Sequence, residues 1–214
     1  MPTTYILKLL ITAPPILLAL TVHECAHAFA AYRLGDPTAK MLGRLTLNPL
    51  KHLDPIGTIA LFLTGMFGWA KPVPVIARNF RNPAKGMMIV SLAGPFANLL
   101  LGAFFALLVI AENVLAASDI PVALHGVYDP VFLMIKASVV INVSLAVFNL
   151  IPIPPLDGSH VLGYFLPSGA GSSYARFSPY GFILLLALIS SGVIGRLISP
   201  IIAAMIGLLT GGVY

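Results

Sequence analysis

Two histidines and a glutamate lie within five residues, at His23, Glu24 and His27. On a helix the two histidines project from the same face because they are four residues apart, so both imidazoles can reach one metal ion. Glu24 lies about 100° around the helix from His23. Zinc held in this way activates a water molecule, and a neighbouring glutamate can take the proton that the water loses. The spacing therefore predicts a zinc site with a general base.

The sequence around the motif distinguishes a metal site from a chance run of polar residues or from polar contacts between helices. The motif lies near the end of an apolar stretch that runs from Tyr5 to about Arg33. An ionisable side chain at bilayer depth costs ~2.5 kcal/mol or more, so three of them in five residues indicate a metal or a partner that offsets the cost.

The composition is that of a membrane protein. Of 214 residues, 58% are hydrophobic and 9% are charged, whereas soluble domains have about 25% charged residues. Because apolar segments use most of the length, we predict a single integral-membrane domain over residues 1–214, with a catalytic core at about 5–163 and a C-terminal helical hairpin at about 178–211. The one cysteine, Cys25, excludes an intramolecular disulfide.

The net charge of +5 is unevenly distributed and does not indicate nucleic-acid binding. Residues 33–85 carry most of the basic side chains, whereas residues 112–129 carry Glu112, Asp119 and Asp129 and no lysine or arginine. Cytosolic loops of membrane proteins are rich in lysine and arginine. We therefore predict a multi-pass protein of the cell membrane, with the basic region and the metal site toward the cytosol and in contact with the lipid bilayer.

The apolar segments predict an all-α polytopic bundle of about five transmembrane helices. The segment 56–70 is too short for a full crossing and is predicted to be re-entrant or interfacial. The alternation and prolines at 39–47 and 71–76 predict a small β-hairpin, with 71–76 as an edge strand that could pair with an unwound substrate. The predicted spans are residues 5–31, 86–111, 131–151, 180–194 and 197–209.

Two histidines and a water leave one protein ligand to be found for an open zinc site. Asp157 is the best candidate because Pro152, Pro154 and Pro155 must break the preceding helix, and irregular backbone at membrane depth lines a protected cavity. The alternative is that Asp157 is a solvated turn residue. His160 is a second candidate, as a ligand or as a partner of one.

Asparagines within the spans are the remaining polar candidates. Asn149 precedes Asp157 by eight residues, and Asn98 follows Gly94 in the second span. An amide close to zinc can donate a hydrogen bond to an oxyanion. Each asparagine could equally join two helices, which is the interpretation that we favour for Asn142.

Three sequence motifs in this order resemble the site-2 protease family of intramembrane zinc metalloproteases. They are the His23–His27 motif, the Gly94–Asn98 segment and the run from Asn149 through Asp157 to Gly158. The stretches Leu42–Pro49 and Gly68–Val75 look like the compact prokaryotic branch without a PDZ domain. The resemblance covers roughly residues 20–163.

The resemblance implies hydrolysis of peptide bonds in or near transmembrane segments of client proteins. It implies that His23, His27 and Asp157 bind one zinc ion per chain and that Glu24 is the general base. It implies that Asn149 positions the substrate carbonyl or oxyanion, and that Asn98 is structural or lines the cleft. By this resemblance we expect the chain to lack the helix that usually precedes the metal-binding span in the family.

Two other functions remain as alternatives at this point. Buried histidine and aspartate residues also occur in divalent-metal transporters, although the chain has no second copy of either motif, as repeated transporter halves would require. A zinc-bound scaffold without catalysis is the third possibility, and the intact Glu24 disfavours it. The sequence predicts a membrane-spanning protein as substrate and indicates no oligomeric state.

Overall fold

The computed structural model describes residues 2–64, 68–115 and 125–212, and these residues are mostly helical. The long helices follow the apolar stretches of the sequence, which confirms the all-α prediction. The α-helices are α1 (Pro2–Arg33), α2 (Thr38–Met41), α3 (Pro55–Thr64), α4 (Pro83–Leu115), α5 (His125–Asn149), α6 (Gly158–Phe165), α7 (Ser168–Ser190) and α8 (Val193–Thr210).

Four helical stretches in the described residues are long and apolar enough to cross a membrane. They are Tyr5–Arg33, Pro83–Val114, Tyr128–Asn149 and Val193–Thr210. The remaining predicted span, residues 180–194, falls on a shorter apolar part of α7, Arg176–Ser190. Helix α3 has 10 residues, fewer than the roughly 20 that a helical crossing needs.

The predicted β-hairpin is wrong for the described residues. Residues 39–41 belong to α2, and the only bridge there is an isolated antiparallel one between Leu53 and Ala70. Residues 71–76, here called the strap, cannot extend a ladder because Pro72 and Pro74 have no N–H group. Other strap groups are already bonded: the Lys71 carbonyl accepts from Arg44 Nη2 at 2.5 Å, and the Lys71 N–H donates to the His52 carbonyl at 2.8 Å.

Helices α1, α4 and α5 pack against one another and hold the predicted site between them. A buried cluster on α4 and α5, which includes Ala106, Val109, Val139 and Val143, continues to Ile206 on α8. Small and β-branched side chains at these positions let the helix backbones approach closely, which is how helices associate inside a bilayer. Helices α4 and α5 therefore form the centre of the bundle, and α1 packs against both of them.

The far end of the strap is tied to the end of α1 by Asp36, whose side chain is fully buried. Its carboxylate accepts from the Ile76 N–H at 2.7 Å, from Asn79 Nδ2 at 2.7 Å and from the Thr38 hydroxyl at 2.5 Å. Burial by itself would raise the pKa of Asp36, but these hydrogen bonds to the charged form outweigh it and hold the pKa below its ordinary value.

Candidate metal centre

Helix α1 presents both histidines of the motif to the interior of the bundle. The side chains of His23 and His27 are buried, and their rings pack edge to face with centroids 4.6 Å apart. This arrangement follows from the four-residue spacing, which places the two rings one above the other on a helix. Helix α1 thus places two neighbouring imidazole rings, each with a possible ligand nitrogen, on a buried face.

Asp157 reaches the same place from the other side of the bundle. Helix α5 ends at Asn149, the proline-rich turn follows, and Asp157 directly precedes α6. The turn is tight enough that a Cβ atom on Gly158 would clash with the Leu150 carbonyl, so only glycine fits there. One carboxylate oxygen of Asp157, Oδ2, lies 3.2 Å from His23 Nε2 and 3.4 Å from His27 Nε2.

The hydrogen bonds of the two histidines orient their lone pairs toward Asp157. His23 Nδ1 lies 2.6 Å from Asn98 Oδ1, and His27 Nδ1 lies 2.7 Å from the Val90 carbonyl. Because both partners accept, Nδ1 carries the proton in each ring and Nε2 presents a lone pair. Two lone pairs then face a carboxylate oxygen, an arrangement that a metal cation between them would stabilise.

The spacing of these three atoms fits zinc. Ligand atoms about 2.05 Å from a tetrahedral zinc ion lie about 3.3 Å from one another, close to the two distances measured. Within the described residues, Oδ2 of Asp157 is buried and has no hydrogen-bond donor. The same residues contain one group of three metal-ligating side chains, His23, His27 and Asp157. They suit one zinc ion with an open fourth position.

Helix α4 closes one side of this site through Gly94. A Cβ atom at Gly94 would lie 2.6 Å from His23 Cε1 and 2.6 Å from His27 Nε2, closer than side-chain atoms approach. A glycine is therefore required where α4 crosses the two imidazoles. Close packing against the two imidazoles thus explains why the Gly94–Asn98 segment begins with glycine.

Glu24 lies beside the histidines and is held by the strap. The Val73 N–H donates to Glu24 Oε2 at 2.8 Å. Val73 is buried and is flanked by Pro72 and Pro74, so its amide is the one N–H that this part of the strap can offer. The contact leaves the second carboxylate oxygen of Glu24 for a proton.

The predicted site residues line one cavity of about 310 Å³, with Asn98 as the exception. Asn149 and the exposed His160 lie on its wall with the ligands and Glu24. The Asn149 amide donates to the Leu145 carbonyl of its own helix at 2.9 Å. Asn98 is fully buried against His23, and its amide nitrogen donates to the Ala19 carbonyl and to Asn142 Oδ1.

Two backbone groups of the site, the Val73 N–H and the Val90 carbonyl, are not among the sequence predictions. Every residue type except proline has the same backbone donor and acceptor, so such contacts cannot be read from residue types. The one weak indication was that Val73 lies between two prolines and so has the one N–H of that stretch. The pair Asn98–Asn142, with 2.8 Å between Nδ2 and Oδ1, joins α4 to α5 and matches the helix-joining role expected of Asn142.

Comparison with known proteins agrees with the chemistry of this site. The family model "Peptidase family M50" matches residues 110–190, which include Asn149 and Asp157. The chain is 41% identical over 173 residues to "Putative zinc metalloprotease YwhC" of Bacillus subtilis (strain 168), covering 81% of this chain and 77% of that protein.

A second relative is more distant but covers more of the chain. "Putative zinc metalloprotease Rip2" of Mycolicibacterium smegmatis is 29% identical over 203 residues, which are 91% of this chain and 72% of that protein. No solved structure matches the chain. The identity to the Bacillus protein over most of both chains, together with the family match, shows that this chain belongs to peptidase family M50, the site-2 protease family of membrane zinc metalloproteases.

Proposed function

We propose that the chain cuts peptide bonds in or beside membrane-spanning segments of client proteins, with one zinc ion held by His23, His27 and Asp157. The observation that carries this proposal is the convergence of three ligand atoms from α1 and the turn before α6, all within 4.8 Å of one another. The named zinc metalloproteases among the relatives support the choice of metal and of reaction.

Zinc in such a site lowers the pKa of a water molecule and polarises a carbonyl group. The residues of the chain would position the ligands and move the proton. Nδ1 of each histidine is anchored on α4, and Asp157 is fixed by the proline-rich turn, so the three ligands are positioned before the ion arrives. A preformed ligand set of this kind holds the reacting groups in place without further ordering.

Glu24 is the general base of the proposed reaction. Its Oε2 atom is fixed by the Val73 N–H, and the other oxygen accepts a proton from the attacking water. The same carboxyl then gives the proton to the leaving amine, because the bond that breaks releases a nitrogen that must be protonated. A positioned acid and base of this type contributes about 10²- to 10⁴-fold to the rate.

The two asparagines have different parts in this proposal. Asn149 lines the cavity, and one hydrogen of its amide is engaged with Leu145, so the second can donate to the substrate carbonyl or oxyanion. Both amide hydrogens of Asn98 are already used, and its oxygen faces His23. Asn98 therefore contributes by positioning a ligand rather than by contacting the substrate.

The charge distribution supports an orientation with the metal site toward the cytosol. The site lies on the last turns of α1, which ends at Arg33, and the basic residues of the following region include Lys40, Lys51, Arg78 and Lys85. Lysine and arginine at this density lie on the cytosolic side of cell membranes. Clients would thus be cut near their cytosolic ends.

Replacement of the base tests the catalytic role. Glu24→Gln keeps the size and the Val73 contact but cannot accept a proton, so cleavage of single-span test proteins in liposomes should fall about 100-fold or more. Zinc should remain near one ion per chain by atomic absorption. Glu112→Gln, near the C-terminal end of α4 and outside the metal cavity, is the matched control and should keep activity. Full cleavage by Glu24→Gln would refute the proposal.

A further inference from the structure

A second cavity, of about 500 Å³, lies between α1 and α5, beside α3 and Trp69. Its wall is apolar apart from Ser144 and Thr58. The zinc chemistry uses none of its residues. An apolar cavity of this size in a bilayer protein is a place for an apolar ligand.

This cavity, here called the groove, lies between one face of α1 and one face of α5, and Ile198 of α8 also lines it. Ala13, Leu17 and Leu20 form one wall on α1, and Ile141, Leu145 and Phe148 form the other on α5. Both sets recur every three or four residues, which places each set along one face of its helix. Each wall spans about eight residues, or ~12 Å, which is the length of two helical turns.

The groove leads directly to the catalytic groups. Leu20 lies one turn before Glu24 on α1, and Leu145 lies one turn before Asn149 on α5. A residue four positions further along a helix projects from the same face. Both walls of the groove therefore continue into the wall of the metal cavity, at the proposed base on one side and at the proposed oxyanion donor on the other.

We propose that this groove binds two turns of an apolar membrane-spanning helix of the client, next to the peptide bond that is cut. Helix faces with side chains at these spacings accept the ridges of a third helix, as in helix-in-groove recognition. The groove continues into the metal cavity, so a ligand bound in the groove ends beside Glu24 and Asn149. A polypeptide would place a peptide bond there, whereas a lipid chain would not, and this favours a polypeptide. The inference rests on the proposed protease function.

Photo-crosslinking tests the groove without requiring cleavage. The photoreactive analogue p-benzoylphenylalanine replaces Phe148, which lines the groove, or Phe104, which is 54% exposed on α4 outside it. Both are made in the Glu24→Gln background in liposomes, with a synthetic leucine–alanine transmembrane peptide as probe. The peptide adduct should form at position 148 and be about ten-fold weaker at position 104.

Filling the groove supplies a second variant. Ser144→Trp should reduce the adduct at position 148, whereas Leu107→Trp, on the exposed face of α4, should not. Adducts with lipid alone, adducts between two copies of the chain, or equal peptide adducts at both positions would overturn the groove proposal. Loss of cleavage in Glu24→Gln is measured separately, so failure here leaves the protease proposal standing.

Discussion

Both histidines of the predicted zinc site are held through Nδ1, one by a side chain and one by backbone. Asn98 accepts from His23 at 2.6 Å, and the Val90 carbonyl accepts from His27 at 2.7 Å. A partner of this kind fixes the ring orientation and keeps the proton off the metal-binding nitrogen. We therefore expect the affinity for zinc to depend on α4, which contributes none of the three proposed ligands.

Replacement of Asn98 should therefore weaken zinc binding without removing a ligand. We expect Asn98→Ala to lower zinc affinity by about 10- to 100-fold, measured by competition with a chelator. Asn98→Asp should recover part of the loss because a carboxylate still accepts from His23.

Asn113→Ala is the control on the same helix, since within the described residues that side chain donates to the Val109 carbonyl of its own helix. It should bind zinc as the unmodified protein does. Unchanged zinc affinity in Asn98→Ala would show that His23 keeps its orientation by packing alone.

At the scale of elements, the strap links the loops after α1 and α2 to Glu24, the proposed base. Arg44 and His52 hold its beginning, Asp36 holds its end, and the Val73 N–H between them reaches Glu24. The sequence shows alternation and prolines here, which resemble an edge strand. Side chains from α1 and from the loop after α2 bind the strap's backbone instead, and such long-range contacts leave no local pattern.

Removal of the Val73 N–H should impair catalysis selectively. Val73→Pro deletes that donor, and the next residue, Pro74, already restricts Val73 to extended backbone. We expect kcat to fall about 100-fold, as for other small misplacements of a catalytic group, with KM and zinc content unchanged. Val73→Ala keeps the N–H and is the control. Equal loss in both variants would assign the effect to the valine side chain.

The Asp36 anchor should make the strap sensitive to acid. Its folded pKa lies below that of an unfolded aspartate, so its stabilisation is complete above about pH 4 and is lost as the pH falls through the folded value. Proteolytic cleavage of the strap region should therefore rise at low pH.

Asp36→Asn should show that sensitivity at neutral pH, because an amide nitrogen cannot accept from the Ile76 N–H and one charged hydrogen bond is worth about 2 kcal/mol. Asp54→Asn, in the loop before α3, is the comparison. If Asp36→Asn and the unmodified protein are cut at the same rate at pH 7, the anchor does not control the strap.

At the scale of the whole molecule, the sequence was enough to predict that His23, His27 and Asp157 lie together, but not the contacts that surround them. The spacing of His23 and His27, and the prolines before Asp157, are local signals for a metal-binding face and a broken helix. The approach of Gly94 to both imidazoles, and the groove between α1 and α5, depend on how helices pack after they form. Hydropathy specifies which segments are apolar but not which faces meet.

The proposed orientation of the bundle rests on the distribution of charge and can be tested with reporter residues at the two ends of one helix. Cys25 is the only cysteine, so Cys25→Ser provides a background for single reporter cysteines. Lys85, at the start of α4, and Asn113, near its end, are both exposed and lie 28 residues apart along a helix that is long enough to cross the membrane. At 1.5 Å per residue the two positions are about 42 Å apart, the full thickness of a bilayer with its headgroups.

Because basic residues concentrate at the Lys85 end, we expect an impermeant maleimide to label Asn113→Cys in intact cells and to label Lys85→Cys only after the membrane is opened. Residues 112–129 contain no lysine or arginine, and these two residue types, rather than acidic ones, determine which end stays inside. Labelling of Lys85→Cys in intact cells would place the basic loops, the strap and the metal site on the outer side. Clients would then have to be cut near their external ends.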